Sequence, residues 1–466
     1  MLVQRDTPVR LPSPEWRLRL SALNTEVKNL GRAAPSERDA AVAGATAHTS
    51  PRPRPKGRCA TSLDDYRTGT TSNHLPALDG VRGLAVLIVI LHNAGWIAGS
   101  SEQLIVKLFT AVTATGWIGV SLFFALSGLL ITGVLLDTRG RSDFFRSFYL
   151  RRTLRIFPLY YAYVAGVVLV ATPLAWSASW AADVRAGQWP YWLYVSNWTQ
   201  TFGHGIFGMT HLWSLAVEEQ FYLIWPPIAY ALGRSGLAKL ACVMVLAGPG
   251  VRYLLSVSSL PTEATYLFTI ARWDALAAGA LLAAMLRHER GQVLVTAVRG
   301  KIGVVLLSTM AILLLKVRGF HSDDRTIAVF GQSIIVGLCF AFLAYVVVDR
   351  GATASRLQQM FTWSGLRTLG KYSYAMYLFH FPIHHLLKVP LGPWVVGSDD
   401  SLRIVRVLAY LALIFLLTFS AALISWRVIE KPFLDLKDRF APRPDGIRPA
   451  ITISRAAPQA DSHAAP

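Results

Sequence analysis

Long apolar stretches recur along the chain, and their lengths match the hydrophobic thickness of a bilayer. A membrane-spanning helix needs about 17–25 mostly apolar residues. Ten stretches meet this requirement, near 81–99, 116–136, 149–172, 212–232, 237–257, 267–286, 301–317, 328–348, 371–389 and 405–426. The pattern predicts an all-α fold, a polytopic membrane bundle of about ten transmembrane helices.

The segments outside these stretches are polar. Residues 1–74 are rich in Arg, Ala, Ser and Pro and lack sustained apolar periodicity, which predicts a disordered basic tail. Residues 75–433 form the predicted transmembrane domain, and residues 434–466 are expected to form a second polar tail and no further soluble domain. The connection 173–211, with its WPYWLYVSNW run, is expected to lie half-buried at the membrane interface.

Charge supports a membrane protein and not a nucleic-acid-binding one. The chain carries a formal net charge of +19, yet only 16% of its residues are charged, against about 25% in soluble domains. Most Lys and Arg lie in the N-terminal tail and in the loops that follow even-numbered spans. The positive-inside rule therefore predicts that both termini are cytoplasmic. The three cysteines are far apart and form no metal-binding or redox motif.

The fourth span opens with HLWSLAVEEQFYLIWP, residues 211–226. A carboxylate at bilayer depth costs roughly 2.5–3.5 kcal/mol, so Glu218 and Glu219 are candidate functional residues. His211 precedes Glu218 by seven residues, close to two helical turns, which would place both on one face. The alternative is an ordinary helix N-terminus, with Ser214 or Thr210 as the cap and Glu218 in the first turns.

The first span carries Arg82 at its cytoplasmic edge and His92 ten residues further on. At 1.5 Å per residue, His92 lies about 15 Å deeper in the membrane. A histidine there, beside Asn93, must face a wet cavity or a partner. The alternative is a histidine that joins two helices through a hydrogen bond.

The second and third spans add small and basic residues. Gly119, Ser127 and Gly128 favour close helix packing over ligand contact. The FYLRRTLRIFP segment places Arg151, Arg152 and Arg155 at the cytoplasmic mouth of the third span. These arginines either fix topology or bind phosphate groups, to which their forked guanidinium is suited.

Charged and aromatic polar residues also occur in later spans. Arg272 and Asp274 lie in the sixth span, where they can neutralise each other or partners on other helices. Tyr377 and His380 lie in the ninth span, and the last span ends in WRVIEKPF, where Glu430 is expected at the cytoplasmic surface. Together these spans hold more charged and polar residues than a helix bundle with a purely structural role requires.

This combination resembles the acyltransferase-3 family of integral membrane O-acyltransferases. The matching stretches are LDGVRGLAVLIVIL…H, SGLLIT, FYLRRTLRIFP, HLWSLAVEEQFYLIWP, the Arg272 segment, SYAMYLFHFPI and VIEKP, in the family's order across 75–433. The resemblance implies transfer of an acyl group, most often acetyl from acetyl-CoA, to a sugar hydroxyl. Acceptors in the family include lipopolysaccharide O-antigens, exopolysaccharides, signalling oligosaccharides and glycosylated antibiotics.

The resemblance also implies residue roles. The candidate catalytic residues are His92, Glu218, Glu219 and Arg82, and the acyl-CoA would be held by Arg151, Arg152 and Arg155. Supporting roles are expected for Asn93, His211, Ser214, Arg272, Asp274, Tyr377 and His380. The family usually has ten residues between its Arg and His, but here only nine intervene and Asn93 takes the expected position. His92 is therefore rotated by about one residue around the helix, away from the line of Arg82.

We therefore expect a multi-pass protein of the plasma (inner) membrane that uses acyl-CoA as co-substrate and holds no bound cofactor or metal. Its expected partners are the lipid bilayer, acyl-CoA and a carbohydrate-containing acceptor, without nucleic acid; a separate partner protein or a homo-oligomer remains open. The alternative function is a transporter or flippase of a lipid-linked glycan, although the inverted repeats typical of transporters are not found. A non-catalytic sensor is the third alternative.

Overall fold

The computed structural model describes residues 75–99, 101–171, 178–206, 208–317, 325–348, 356–397 and 400–440. Within these ranges the chain forms helices and no strands. The predicted tail 1–74 lies outside the described residues, as do residues 441–466 of the predicted C-terminal tail. The first part of that second tail, 434–440, belongs to the last helix.

Sixteen α-helices follow one another in the described ranges. They are α1 Pro76–Gly95, α2 Leu104–Ala114, α3 Ile118–Thr138, α4 Phe144–Ala165, α5 Ala178–Gly187, α6 Trp189–Trp192, α7 Ser196–Thr201, α8 Trp213–Val257, α9 Ala264–Leu267, α10 Thr269–Met285, α11 Glu289–Val317, α12 Gln332–Val347, α13 Arg356–Phe361, α14 Ser364–Val396, α15 Arg403–Ser425 and α16 Lys431–Phe440. Short 3₁₀ or π turns at 96–98, 115–117, 166–171, 210–212, 327–331, 400–402 and 426–430 join or extend them.

The membrane bundle predicted from hydropathy is confirmed. Eight helical stretches of the described residues are long and apolar enough to cross a bilayer. One of them, Thr210–Val257, holds two predicted spans, and α14 holds the ninth, so each of the ten predicted spans lies on a helix. The prediction missed α2, and α11 begins at Glu289, well before the predicted boundary at 301.

Helix α8 is a helical hairpin that is broken at Gly233. This glycine has φ 62° and ψ −172°, a conformation that residues with a Cβ rarely adopt. Gln220, before the break, accepts a hydrogen bond from Thr269, and Arg252, after the break, donates to the Ala271 carbonyl at 2.6 Å. Both halves of α8 therefore contact the beginning of α10 and run in opposite directions, as two separate spans require.

Glycines allow two pairs of helices to cross at van der Waals distance. A Cβ added to Gly279 on α10 would lie 1.8 Å from the Ala125 carbonyl oxygen on α3, and one added to Gly128 would lie 1.9 Å from that of Leu276. In the same way, a Cβ at Gly83 on α1 would lie 2.1 Å from a carbonyl oxygen of α14. The packing role predicted for Gly128 is thus confirmed, because only small residues permit such approach in a membrane.

The bundle has two chemically different ends. Helix α1 runs from Arg82 near its start to Asn93 near its end, and Asn93 meets His380 of the parallel helix α14. We name the end that holds Arg82, Arg152 and Arg155 the arginine end. The opposite end, which holds Asn93, His211 and His380, is the histidine end.

The connection between α4 and α8 packs into the histidine end and is half-buried, as expected. Tyr194 stacks on Tyr160 with ring centroids 4.1 Å apart, and the buried Asn197 side chain donates to the Leu267 carbonyl at 3.1 Å. Burial raises the pKa of Tyr191 to about 12, so its hydroxyl stays protonated while it accepts a hydrogen bond from the Ile206 amide. This connection therefore closes one side of the bundle interior.

The close crossing of α3 and α10 gives a first testable prediction. Gly279→Leu forces the two backbones apart and is expected to cost about 3 kcal/mol or more. Gly250→Leu is the matched control, because Gly250 is an exposed helical glycine with no atom within 4 Å of its added Cβ. The measurement is the yield of monodisperse protein in detergent and its melting temperature. Equal behaviour of the two variants would contradict the packing described here.

Candidate functional site

A cavity of about 280 Å³ lies at the histidine end of the bundle. Four of the predicted site residues line it: His92, Asn93, His211 and Tyr377. They come from α1, from the turn before α8 and from α14, so the cavity exists only when these three elements meet. Its volume is near the lower limit for small-molecule sites.

His92 lines this cavity, and one of its ring nitrogens has no described hydrogen-bond partner. Its Nδ1 lies 2.9 Å from the Thr113 carbonyl oxygen, and a carbonyl only accepts, so Nδ1 carries the proton. Nε2 is then left with its lone pair, and no hydrogen bond to another described residue occupies it. The ring is half-buried. A neutral imidazole fixed in this tautomer is suited to accept a proton.

Gly116 makes room for His92. A Cβ added at Gly116 would lie 2.5 Å from the Cβ of His92 and 2.7 Å from the Ile88 carbonyl oxygen. Any larger residue at this position must displace α1 or the histidine ring. Sequence reasoning missed this residue and the Thr113 carbonyl, because both act through contacts between distant segments.

Asn93 and His380 form a bridge between α1 and α14. The Asn93 amide donates to the Val89 carbonyl at 3.1 Å and meets His380 Nε2 at 3.2 Å, while His380 Nδ1 lies 2.6 Å from the Tyr377 carbonyl. Both nitrogens of His380 are therefore occupied. The shortened spacing between Arg82 and His92 thus leaves both His92 and Asn93 on the cavity wall, with Asn93 in a positioning role.

His211, Ser214 and Tyr377 form the next layer toward the membrane centre. The Ser214 and Tyr377 hydroxyls share a hydrogen bond, and each also lies within 3.2 Å of the His211 carbonyl. His211 Nε2 donates to the Leu378 carbonyl at 3.1 Å. His211 lies in the 3₁₀ turn directly before α8, and the shared helical face of His211 and Glu218 stays a prediction. The predicted caps are absent, because no side chain caps the start of α8.

The two glutamates lie deeper in the bundle and have different surroundings. Glu218 accepts hydrogen bonds from the hydroxyls of Ser127 and Tyr222, so Ser127 contacts a functional candidate and not only a neighbouring helix. Glu219 interacts electrostatically with Arg152. Both glutamates are half-buried and not fully enclosed.

The predicted phosphate-binding arginines gather at the arginine end. Arg82, Arg152 and Arg155 lie near enough to interact electrostatically, although they carry like charges. Arg82 forms an ion pair with Asp79 at 3.0 Å, while Arg155 is exposed. Arg151 donates to Ser147 at 3.2 Å on its own helix. Such a cluster is a suitable site for a polyanion, because an anion relieves the repulsion.

Glu430 lies beside this cluster and is not at the surface as expected. Only 7% of it is exposed, and it interacts electrostatically with Arg155. Its position in the turn that follows α15 brings the end of the bundle against α4. The arginine end is thus built from both termini of the transmembrane domain.

Arg272 and Asp274 have separate partners. Asp274 pairs with Arg252 of α8 at 2.8 Å, and both side chains are buried. Arg272 donates to Ser121 at 2.8 Å and to Gln332, and its guanidinium lies 4.8 Å from the centroid of the Tyr266 ring. Of the two arrangements expected from the sequence, the structure shows partners on other helices. It places neither residue on the cavity wall.

Comparison with known proteins gives a consistent family. The model of the acyltransferase-3 domain family, described as an acyltransferase domain, matches residues 75–426. The chain is 29% identical over 384 residues to the peptidoglycan O-acetyltransferase OatA of Listeria monocytogenes. This match covers 78% of the present chain and 56% of the Listeria protein. The chain is 28% identical over 384 residues to the O-acetyltransferase OatA of Staphylococcus aureus, covering 77% of this chain and 57% of that protein.

The chain spans little more than half the length of these curated relatives. No solved structure matches it. The family match nevertheless covers most of the chain and nearly all of the described helices. The chain therefore belongs to the acyltransferase-3 family of polytopic membrane proteins.

Proposed function

We propose that this protein is a membrane O-acetyltransferase that moves an acetyl group from acetyl-CoA to a hydroxyl of a glycan. The observation that carries the proposal is His92, whose Nε2 is left free in a small cavity by the hydrogen bond between Nδ1 and the Thr113 carbonyl. The family match and the names of the relatives support it. The comparisons give the transporter alternative no support.

The donor would bind at the arginine end. Acetyl-CoA carries several phosphates, and the cluster of Arg82, Arg152 and Arg155 offers forked donors to them. Arg82 would also orient the donor. The rise along α1 from Arg82 to His92 is about 15 Å, and the extended pantetheine arm would cover it and carry the thioester toward the cavity. By the positive-inside rule this end faces the cytoplasm of a plasma-membrane protein.

The transfer step would occur at His92. Nε2 takes the proton of the acceptor hydroxyl while the oxygen attacks the thioester carbonyl. The carbon–sulfur bond breaks, and the departing thiolate of CoA receives that proton. Glu218 is the second candidate base, since it is held by two hydroxyls in the space between the arginine cluster and the cavity. The relatives named for peptidoglycan make a cell-wall sugar the first acceptor to test.

The role of His92 gives a second prediction. His92→Gln is expected to lower acetyl transfer by about 100-fold or more, the usual contribution of a general base. Gly116→Ala is expected to cost about 100-fold through displacement of the ring. Mass spectrometry of surface glycans from cells that carry each variant measures the loss of acetylated species.

His384→Gln is the control for this experiment. His384 is a buried histidine of α14 that bonds to Tyr410 and does not line the cavity, so this variant should keep the acetylated species. Loss of acetylation on gene deletion but not in His92→Gln would contradict His92 as the base. No acetyl difference even on deletion would contradict the proposed function.

The arginine cluster gives a third prediction. Arg152→Gln and Arg155→Gln should each raise KM for acetyl-CoA by about tenfold, the equivalent of one charged hydrogen bond. Arg141→Gln is the matched control, since Arg141 is an exposed arginine near the same end that pairs with Asp143. The measurement is initial rate against acetyl-CoA concentration at two salt concentrations. A raised KM for the acceptor with an unchanged KM for acetyl-CoA would place the donor elsewhere.

A further inference from the structure

Arg272 is a buried cation for which the proposed reaction has no role so far. It is 0% exposed near the start of α10. Asp274, two residues further on, is bound to Arg252 and forms no ion pair with it. Arg272 donates its hydrogen bonds to Ser121 and Gln332, and its guanidinium lies over the Phe124 and Tyr266 rings, while Asp274 acts on it only as a nearby charge. A buried arginine that donates its hydrogen bonds to neutral oxygens, although a carboxylate lies nearby, indicates a functional constraint.

The guanidinium of Arg272 lies behind an aromatic wall of the cavity. Its central carbon is 4.8 Å from the ring centroid of Tyr266 and 5.6 Å from that of Phe124. Tyr266 lines the cavity together with Trp117 and Trp213. The Trp213 ring centroid lies 5.0 Å from that of Tyr266, and the Trp117 centroid lies 6.1 Å from it.

The backbone alone does not fix the Tyr266 ring. Tyr266 belongs to α9, a helix of four residues, and the chain is extended at Phe268 before α10 begins. The ring packs against Trp117 and Trp213 and against Arg272, which is itself fixed by Ser121 of α3 and Gln332 of α12. A planar cation can stack on a ring and donate from its edge at the same time, which a lysine ammonium cannot do.

The chemistry of the cavity fits one sugar ring. Aromatic faces pack against the C–H groups of a pyranose, while polar groups bind its hydroxyls. The cavity combines Tyr266, Trp117 and Trp213 with the polar side chains of His92 and Asn93. Its volume of about 280 Å³ is sufficient for a single sugar ring. Trp117 and Trp213 are buried, whereas Tyr266 is half-buried and offers accessible ring surface.

We propose that Tyr266, supported by Trp117 and Trp213, is the acceptor subsite, and that Arg272 is the positioning residue that orients it. The subsite takes one sugar ring of the acceptor by its C–H face and directs a ring hydroxyl to His92. This inference rests on the proposed function and adds the acceptor's binding mode to it.

The test is steady-state acetyl transfer from acetyl-CoA to a disaccharide of N-acetylglucosamine and N-acetylmuramic acid by the full chain in detergent. Tyr266→Leu should raise KM for the disaccharide about tenfold and leave KM for acetyl-CoA unchanged. Tyr266→Phe keeps the ring and should behave as the wild type. Arg272→Lys should also raise KM for the disaccharide. A lysine keeps the positive charge but cannot stack a planar guanidinium on the Tyr266 ring.

The outcomes separate this inference from the function beneath it. A wild-type protein that neither binds nor acetylates the disaccharide would overturn the proposed function for this sugar class and the subsite with it. Transfer by the wild type, with an unchanged KM in Tyr266→Leu, would overturn the subsite alone. A fall in kcat without a change in acceptor KM in Arg272→Lys would show that Arg272 stabilises charge in the reaction, contrary to the positioning role. The Tyr266 variants keep the test valid even if Arg272→Lys does not fold.

Discussion

A bilayer admits a charged side chain only where a partner or water compensates it, and this constraint organises the whole bundle. Arg252 and Asp274 compensate each other between α8 and α10, and Arg287 pairs with Asp137 between α10 and α3. These pairs have structural roles. The arginine cluster and the two glutamates are different, because they remain partly accessible. Their exposure indicates that water or a charged ligand reaches them within the bundle.

The remaining polar groups define a route between the two ends. Glu218 of α8 lies between the region of Arg152 and the layer formed by Ser214, Tyr377 and His211. The cavity begins on the far side of that layer. A donor with a charged head and a long thin arm fits this order of groups. The head would stay with the arginines while the acyl group advances to His92. An acceptor that enters from the histidine end would meet the acyl group without passing the arginine cluster.

Much of the fold could be predicted from sequence, since hydropathy specifies where helices cross a bilayer and the glycine at 128 indicates close packing. The site was predictable as a set of residues but not as contacts. The free nitrogen of His92 depends on the Thr113 carbonyl, and the partner of Asp274 is Arg252, more than twenty residues away. The sequence did not identify Tyr266 as a site residue, because single tyrosines are common in apolar stretches. The contacts of His211 with Leu378 and Tyr377 of α14 likewise join segments more than 160 residues apart, which helical periodicity does not reveal.

If the proposed reaction is right, one molecule of acyl-CoA spans the distance between the arginine cluster and His92. A cryo-electron microscopy structure of the full chain with a non-hydrolysable acetyl-CoA analogue tests this arrangement. We expect phosphate density against Arg152 and Arg155 and density for the acetyl group in the cavity beside His92. An analogue bound with its phosphates away from these arginines, or with its acetyl group confined to the arginine end, would contradict it.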